Sequence, residues 1–215
     1  MIKLISTILL TLLLTACGSQ ESGEKDAEIN TKASTPLTVE KPKEKVSSNK
    51  TEAPETSAPK TFAKDIFALP TLDGKTLHVD EAEEGITFQE HKGKVVFLLF
   101  FGYRCPPCLA EIPTLNAMVK ENHDDMEIIA VEVQRLSTEK LKTFRDKKEI
   151  KYTLLSGEDE ETSKFIAYIG QRAQWGGSIP FLVALNPKGE VKVVHVGGMG
   201  AKAFKTIYEK LKTEK

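Results

Sequence analysis

Lys94-Val95-Val96-Phe97-Leu98-Leu99-Phe100-Phe101-Gly102-Tyr103-Arg104-Cys105-Pro106-Pro107-Cys108-Leu109-Ala110-Glu111-Ile112-Pro113 is the stretch on which the reading of this chain turns. From Val95 to Phe101 the run is apolar without a break. Continuous apolarity, unlike alternation, fits a strand covered on both faces, as in a sheet with helices on each side. From Pro106 onward Leu109, Ile112, Leu115, Met118 and Val119 recur with helical spacing, which predicts a helix to about Asn122. The two cysteines therefore sit at a strand-to-helix junction, Cys105 just outside the first turn and Cys108 within it. Their sulfurs can approach bonding distance with little strain. A helix N-terminus carries about half a positive charge and free N–H groups, which favour thiolate over thiol. Cys105, at the exposed end, is the expected nucleophile, and Cys108, set deeper, the expected resolving thiol.

Competing uses of a Cys-X-X-Cys pair fare worse. Zinc takes four ligands, and His78, His91, His123 and His195 are scattered along the chain without metal spacing, so no metal site is expected. A purely structural disulfide across four residues closes too small a loop to stabilise much. A peroxiredoxin site takes Thr or Ser three residues before its nucleophile, and Gly102 holds that position. Redox exchange remains.

Around this junction the pattern continues as an α/β domain. Phe67–Leu69 and Thr76–Val79 flank a Leu72-Asp73-Gly74-Lys75 turn. Met126–Val133 reads as a second buried strand, Leu136–Lys148 as a polar helix, and Tyr152–Leu155 as a short strand. A helix over Glu160–Ile169 is expected to end at Gly170. Phe181–Leu185 and Val191–Val196 flank the hairpin turn Asn186-Pro187-Lys188-Gly189. Ala201–Lys212 closes the chain as an amphipathic helix with Phe204, Ile207, Tyr208 and Leu211 on one side. The order β-β-β-α-β-α-β-α-β-β-α implies a mixed sheet.

The chain divides into three regions. All 15 aromatic residues lie in 62–215, which is long enough for one core. Residues 18–61 hold 12 Ser or Thr, 8 acidic residues, 7 Lys and 4 Pro, and no aromatic. Such a composition cannot offset its ordering entropy by burial, so this stretch reads as a disordered tether. Residues 1–17 show Lys3, an apolar run too short to span a bilayer, and then Leu14-Thr15-Ala16-Cys17. That ending is similar to a bacterial lipobox, with Cys17 as the lipidated residue; acyl chains would then anchor the protein. A net charge of −1 supplies no bulk attraction for nucleic acid or acidic membranes. The three cysteines thus divide into one lipid site and one redox pair.

Phe97 to Leu115 resembles the active-site segment of extracytoplasmic thioredoxin-like proteins of the TlpA/ResA type. The likeness extends over 62–215 through Asp73-Gly74-Lys75, Gly93-Lys94-Val95-Val96 and Ile179-Pro180. It implies a thioredoxin-like three-layer α/β/α fold with a mixed central sheet and an extra N-terminal β-hairpin. It further implies that Pro180 is a cis-proline lying against the cysteine pair, with the Ile179 backbone free to pair with a substrate strand. Pro113 matches the family's helix kink. Glu111, one turn beyond Cys108, matches a buried glutamate that exchanges a proton with the Cys108 thiol; spacing alone fits a solvated glutamate as well.

One departure concerns the residue before the first cysteine, where the family carries Trp and this chain has Arg104. Arg104 is then a groove residue that adds positive charge beside Cys105. Trp175 is either a replacement aromatic in the groove or a lid over the core. Pro106 and Pro107 lack N–H groups, which weakens thiolate stabilisation and points to a reductant or isomerase rather than a primary oxidant. The resemblance implies an extracytoplasmic, lipid-anchored, monomeric oxidoreductase on the periplasmic side of a bacterial membrane. It implies no small-molecule cofactor. Its partners would be protein dithiol or disulfide substrates, apocytochrome c among them, and a membrane redox protein that restores the pair. The alternative is a thioredoxin-fold binding module or a copper carrier for oxidase assembly.

Overall fold

The computed structural model describes residues 62–214. In chain order these form β1 (Phe67–Pro70), β2 (Thr76–Ala82), β3 (Gly85–Phe88), a short 3-10 turn (Gln89–His91), β4 (Val95–Phe101), α1 (Pro106–Asn122), β5 (Met126–Glu132), α2 (Thr138–Lys147), β6 (Thr153–Ser156), α3 (Glu160–Arg172), β7 (Phe181–Leu185), β8 (Val191–Val196) and α4 (Ala201–Leu211). The Leu14–Cys17 lipobox and the 18–61 tether lie outside the described residues. Among the described residues no helix is long and apolar enough to cross a membrane.

β4 is the middle strand of a five-stranded mixed sheet ordered β6-β5-β4-β7-β8. It runs parallel to β5 and antiparallel to β7. Its unbroken apolarity has the expected cause: Val95, Phe97, Leu99 and Phe101 face one core cluster, and Val96, Leu98 and Phe100 the other. The first cluster is filled from α1 (Ile112, Leu115, Met118), α2 (Leu141) and α4 (Phe204, Tyr208, Leu211). The second is filled from α3 (Phe165, Ile169) and from β1–β3 (Leu69, Val79, Phe88). A strand buried on both sides has no polar face to alternate with.

The N-terminal hairpin is larger than its sequence pattern announces. β3 pairs antiparallel with β2 and extends the hairpin to a three-stranded meander. Four residues, one of them Gly85, are too few to show alternation. The glycine is required, since a Cβ there would come within 2.2 Å of the Gly189 carbonyl oxygen. α3 also runs past Gly170, where the sequence pattern predicts its end. A glycine within a helix costs only about 1 kcal/mol, and the stop comes later. Gln174 takes φ 51°, and the Trp175 N–H returns to the Gly170 carbonyl at 2.9 Å, a left-handed termination that asparagine, glycine or here glutamine supplies.

Candidate active site

β4 ends at Phe101, and three residues, Gly102–Arg104, carry the chain to Cys105. Cys105 is the N-cap of α1, with Pro106 and Pro107 occupying the first two helical positions. Those positions have no intrahelical partner for an N–H, so prolines fit there without loss. The first turn is closed by Leu109 N–H to the Cys105 carbonyl at 3.0 Å. Cys108 N–H donates to Cys105 Sγ at 3.3 Å, the usual N-cap bond with sulfur as acceptor.

Cys105 and Cys108 are joined in a disulfide with Cα atoms 5.3 Å apart. Their exposure differs from the expectation. Cys105 is 6 % exposed and Cys108 4 %, so the oxidised pair has no exposed and no deep member. The capping role explains this: Cys105 turns its side chain back over the helix end instead of outward, into the cluster that holds Phe101, Ile112 and Leu182. The difference between the two sulfurs lies in position on the helix, with Cys105 at the cap.

Glu111 faces inward, 6 % exposed, one turn after Cys108. Burial pushes its carboxyl above the usual carboxylate range, opposed by the Met199 N–H, which donates to Oε1 at 2.6 Å. That N–H comes from the β8–α4 loop, Gly197-Gly198-Met199-Gly200, which folds over the start of α1. Gly198 allows the close approach: a Cβ there would lie 3.3 Å from Pro107 Cβ and 3.8 Å from Glu111 Oε1. Tyr152 is buried, and burial first, then the Glu111 charge, raise its phenol well above its ordinary value.

The Ile179–Pro180 peptide is cis. Pro180 immediately precedes β7, whose Phe181 pairs with Phe100, so the proline sits beside the end of β4 that leads to the cysteines. Its carbonyl accepts the Gly197 N–H at 2.8 Å. Ile179 is half-buried and packs against both core clusters. Pro180, Glu111 and the Gly197–Gly200 loop thus surround one end of the sheet together with the disulfide.

Arg104 is exposed, and its guanidinium stands over the Tyr103 ring at 4.9 Å. Trp175 packs as a lid. Its ring stacks on Phe181 at 4.8 Å and meets Phe100 at 5.0 Å, and its N–H donates to the Ser178 carbonyl at 2.7 Å. Phe100 and Phe181 belong to the cluster on the far face of the sheet from Cys105. Of the two roles open to Trp175 in the sequence, its packing is that of the core lid, and a substituent for the family's Trp beside Cys105 is absent from this position.

Two contributors escape sequence reading. Met199 offers only a backbone N–H, which no side-chain pattern reveals. Glu132 is a fully buried carboxylate at the end of β5 whose oxygens accept loop N–H groups. Its signal, a lone acid closing the apolar run Ile128-Ile129-Ala130-Val131, was present but ambiguous, since a strand terminus commonly carries a charge into solvent.

Comparison with known proteins agrees with this geometry. Residues 55–194 match the AhpC/TSA family. The thiol-disulfide oxidoreductase ResA of Halalkalibacterium halodurans is 30% identical over 149 residues, which are 69% of this chain and 74% of that protein. The thioredoxin-like protein YneN of Bacillus subtilis is 27% identical over 138 residues, 63% of this chain and 71% of its own. A solved thiol:disulfide interchange protein of the thioredoxin family from Chlorobium tepidum aligns with a TM-score of 0.53 at 23% identity, over 73% of this chain and 99% of that one. That last likeness speaks for the fold alone. With a thioredoxin-like fold and a Cys-Pro-Pro-Cys disulfide at its first long helix, this chain belongs to the AhpC/TSA family and is a thiol–disulfide oxidoreductase.

Proposed function

We propose that the protein is a lipid-anchored, extracytoplasmic reductant or isomerase of protein disulfides, working through Cys105 and Cys108. The observation that carries the direction is the donor count at Cys105 Sγ. Pro106 and Pro107 have no N–H, the Leu109 N–H is spent on the Cys105 carbonyl, and Cys108 N–H alone reaches the sulfur. A thiolate with one backbone donor is less stabilised than one with three, and a less stabilised reduced form makes a weaker oxidant.

In the reductive direction the Cys105 thiolate attacks one sulfur of a substrate disulfide. A mixed disulfide forms and one substrate thiolate leaves. Cys108 gives its proton to the Glu111 carboxylate and attacks Cys105 Sγ, which expels the second substrate sulfur as a thiolate, free to take up the proton held by Glu111, and leaves the Cys105–Cys108 disulfide. Two electrons pass from the pair to the substrate. A dithiol partner protein must return them for the next turnover, and no small-molecule cofactor enters. The cis Ile179–Pro180 segment beside the pair offers an edge on which an extended substrate strand could add. Anchoring by Cys17 is supported by the Leu14-Thr15-Ala16-Cys17 ending of the apolar leader. The resemblance to TlpA/ResA proteins supports apocytochrome c cysteines as one substrate.

Equilibration with glutathione buffers tests the direction. The reading expects a potential near that of thioredoxin-class reductants, about −270 mV. A value near the strong periplasmic oxidants, about −120 mV, overturns it.

A further inference from the structure

Glu132 has no part in the exchange chemistry above, yet its carboxylate is 0 % exposed at the end of β5. A carboxylate taken out of water is costly unless its lone pairs are filled. Here Oε1 accepts the Gln134 N–H at 3.0 Å and Oε2 the Leu136 N–H at 2.9 Å. The backbone N–H groups of Tyr103 and Arg135 also lie close enough to the carboxylate to favour its charged form. These donors favour the ionised carboxylate, opposing the burial that pushes the Glu132 carboxyl above the usual carboxylate range.

Three of those donors belong to the β5–α2 loop. The fourth, Tyr103, belongs to the β4–α1 loop, two residues before Cys105. Gln134 adds a second tie between the same loops. Its Oε1 accepts the Arg104 N–H at 3.1 Å, and its side chain lies across Gly102, where a Cβ would come within 2.4 Å of its Cδ. Gly102, Tyr103 and Arg104 are the whole approach to Cys105, and all three are held by Glu132 or by the residue that Glu132 holds.

We propose that Glu132 is a positioning residue for disulfide exchange: its buried carboxylate fixes the loop that presents Cys105, and its negative charge opposes build-up of the Cys105 thiolate. The inference rests on the oxidoreductase reading of the pair. A nearby like charge disfavours a thiolate and keeps the couple weakly oxidising, in the same sense as the two prolines. The other groups around the pair are few. Arg104 and the Tyr103 phenol lie on its own loop, Arg135 lies beside Glu132, Glu111 with Tyr152 behind it lies on the α1 side, and the half-buried His195 of β8, paired with Leu182, is on the same face of the sheet. The Ala173–Pro180 segment and the Gly197–Gly200 loop bring no charged residue. The two arginines are exposed and solvated, whereas Glu132 is buried, so its charge is the less screened.

The test is the pH profile of Cys105 alkylation by iodoacetamide in the full chain carrying Cys108→Ala, read by peptide mass so that Cys17 is scored separately. Adding Glu132→Gln is expected to raise the Cys105 rate at pH 6 roughly three- to tenfold. Adding Glu132→Asp, which keeps the charge on a shorter arm, is expected to lower the melting temperature yet leave the profile within about twofold. A Glu132→Gln profile that matches its parent reduces Glu132 to a structural staple and overturns the proposal. Should Glu132→Gln fail to fold, a Glu132→Asp profile displaced beyond twofold overturns it equally. Alkylation needs no substrate, so this outcome is separate from the oxidoreductase reading, which reduction of 2-hydroxyethyl disulfide by the unmodified protein tests.

Discussion

Replacing Cys105 by serine is expected to slow reduction of protein disulfides at least about a thousandfold, while the melting temperature of the reduced protein stays within a few degrees. The rate falls because a serine hydroxyl is almost wholly protonated at neutral pH and cannot replace a thiolate as nucleophile. Stability holds because the position's structural duty is N-capping. The cap bond from Cys108 N–H to the residue-105 side chain survives with oxygen in place of sulfur, and serine is a favoured cap. Insulin-reduction kinetics with a thermal melt check both halves. Retention of more than about a tenth of the wild-type rate would mean that Cys105 is not the attacking group.

The second large effect falls on Glu111. Glu111→Gln is expected to slow turnover roughly ten- to a hundredfold by removing the group that takes the Cys108 proton during resolution. Mixed-disulfide intermediates should build up in the variant, because the first attack by Cys105 does not use Glu111. Stability should move the other way. Burial raises the folded-state pKa of Glu111 above its unfolded value. Its contribution is therefore fully present below the unfolded pKa and is lost as pH rises through the folded pKa. Glutamine does not ionise, and its side-chain oxygen can still accept the Met199 N–H. At pH 7 the variant is expected to be as stable as the parent or more so, with the difference closing near pH 4. Urea melts at the two pH values decide it, and a variant less stable at pH 7 than at pH 4, relative to parent, contradicts the burial argument. Loss of activity together with unchanged or higher stability is what a functional buried acid produces.

The centre of the fold was legible because one physical signal dominates there. Val95–Phe101 cannot alternate when both of its faces are covered, and Pro106 to Val119 cannot be anything but helix-spaced. The α1 bounds followed from that segment, the β7 and β8 bounds from the apolar runs on either side of the Asn186–Gly189 turn, and the cis Ile179–Pro180 bond from the resemblance. Legibility failed where the cause is non-local. β3 exists because β2 and Gly189 lie beside it, not because four residues prefer a strand. Gly170 reads as a stop until the left-handed Gln174 is seen to do that work instead.

The site shows the same division. Cys108 and Glu111 share one helix, so spacing sets their separation, while the inward turn of Glu111 was read from the resemblance. The depth of Cys105 depends on which way its side chain turns, and the Met199 N–H reaches Glu111 from 88 residues away. Trp175 illustrates a pattern with two readings that only packing separates, here in favour of the lid over Phe100 and Phe181. Glu132 was visible as a letter and not as a charge, since a strand-end acid in solvent and a buried acid ringed by N–H groups are spelled alike.

The central claim is that Cys105 and Cys108 exchange disulfides with protein partners in that order. Expression of the full chain with Cys108→Ala in its native cells tests it most directly. Without the resolving thiol, a mixed disulfide with Cys105 has no internal route to release. The account predicts partner proteins held on Cys105 that reducing agent sets free, and none on the Cys105→Ser, Cys108→Ala double variant. Recovery of no covalent partner, or of the same species from the double variant, contradicts it.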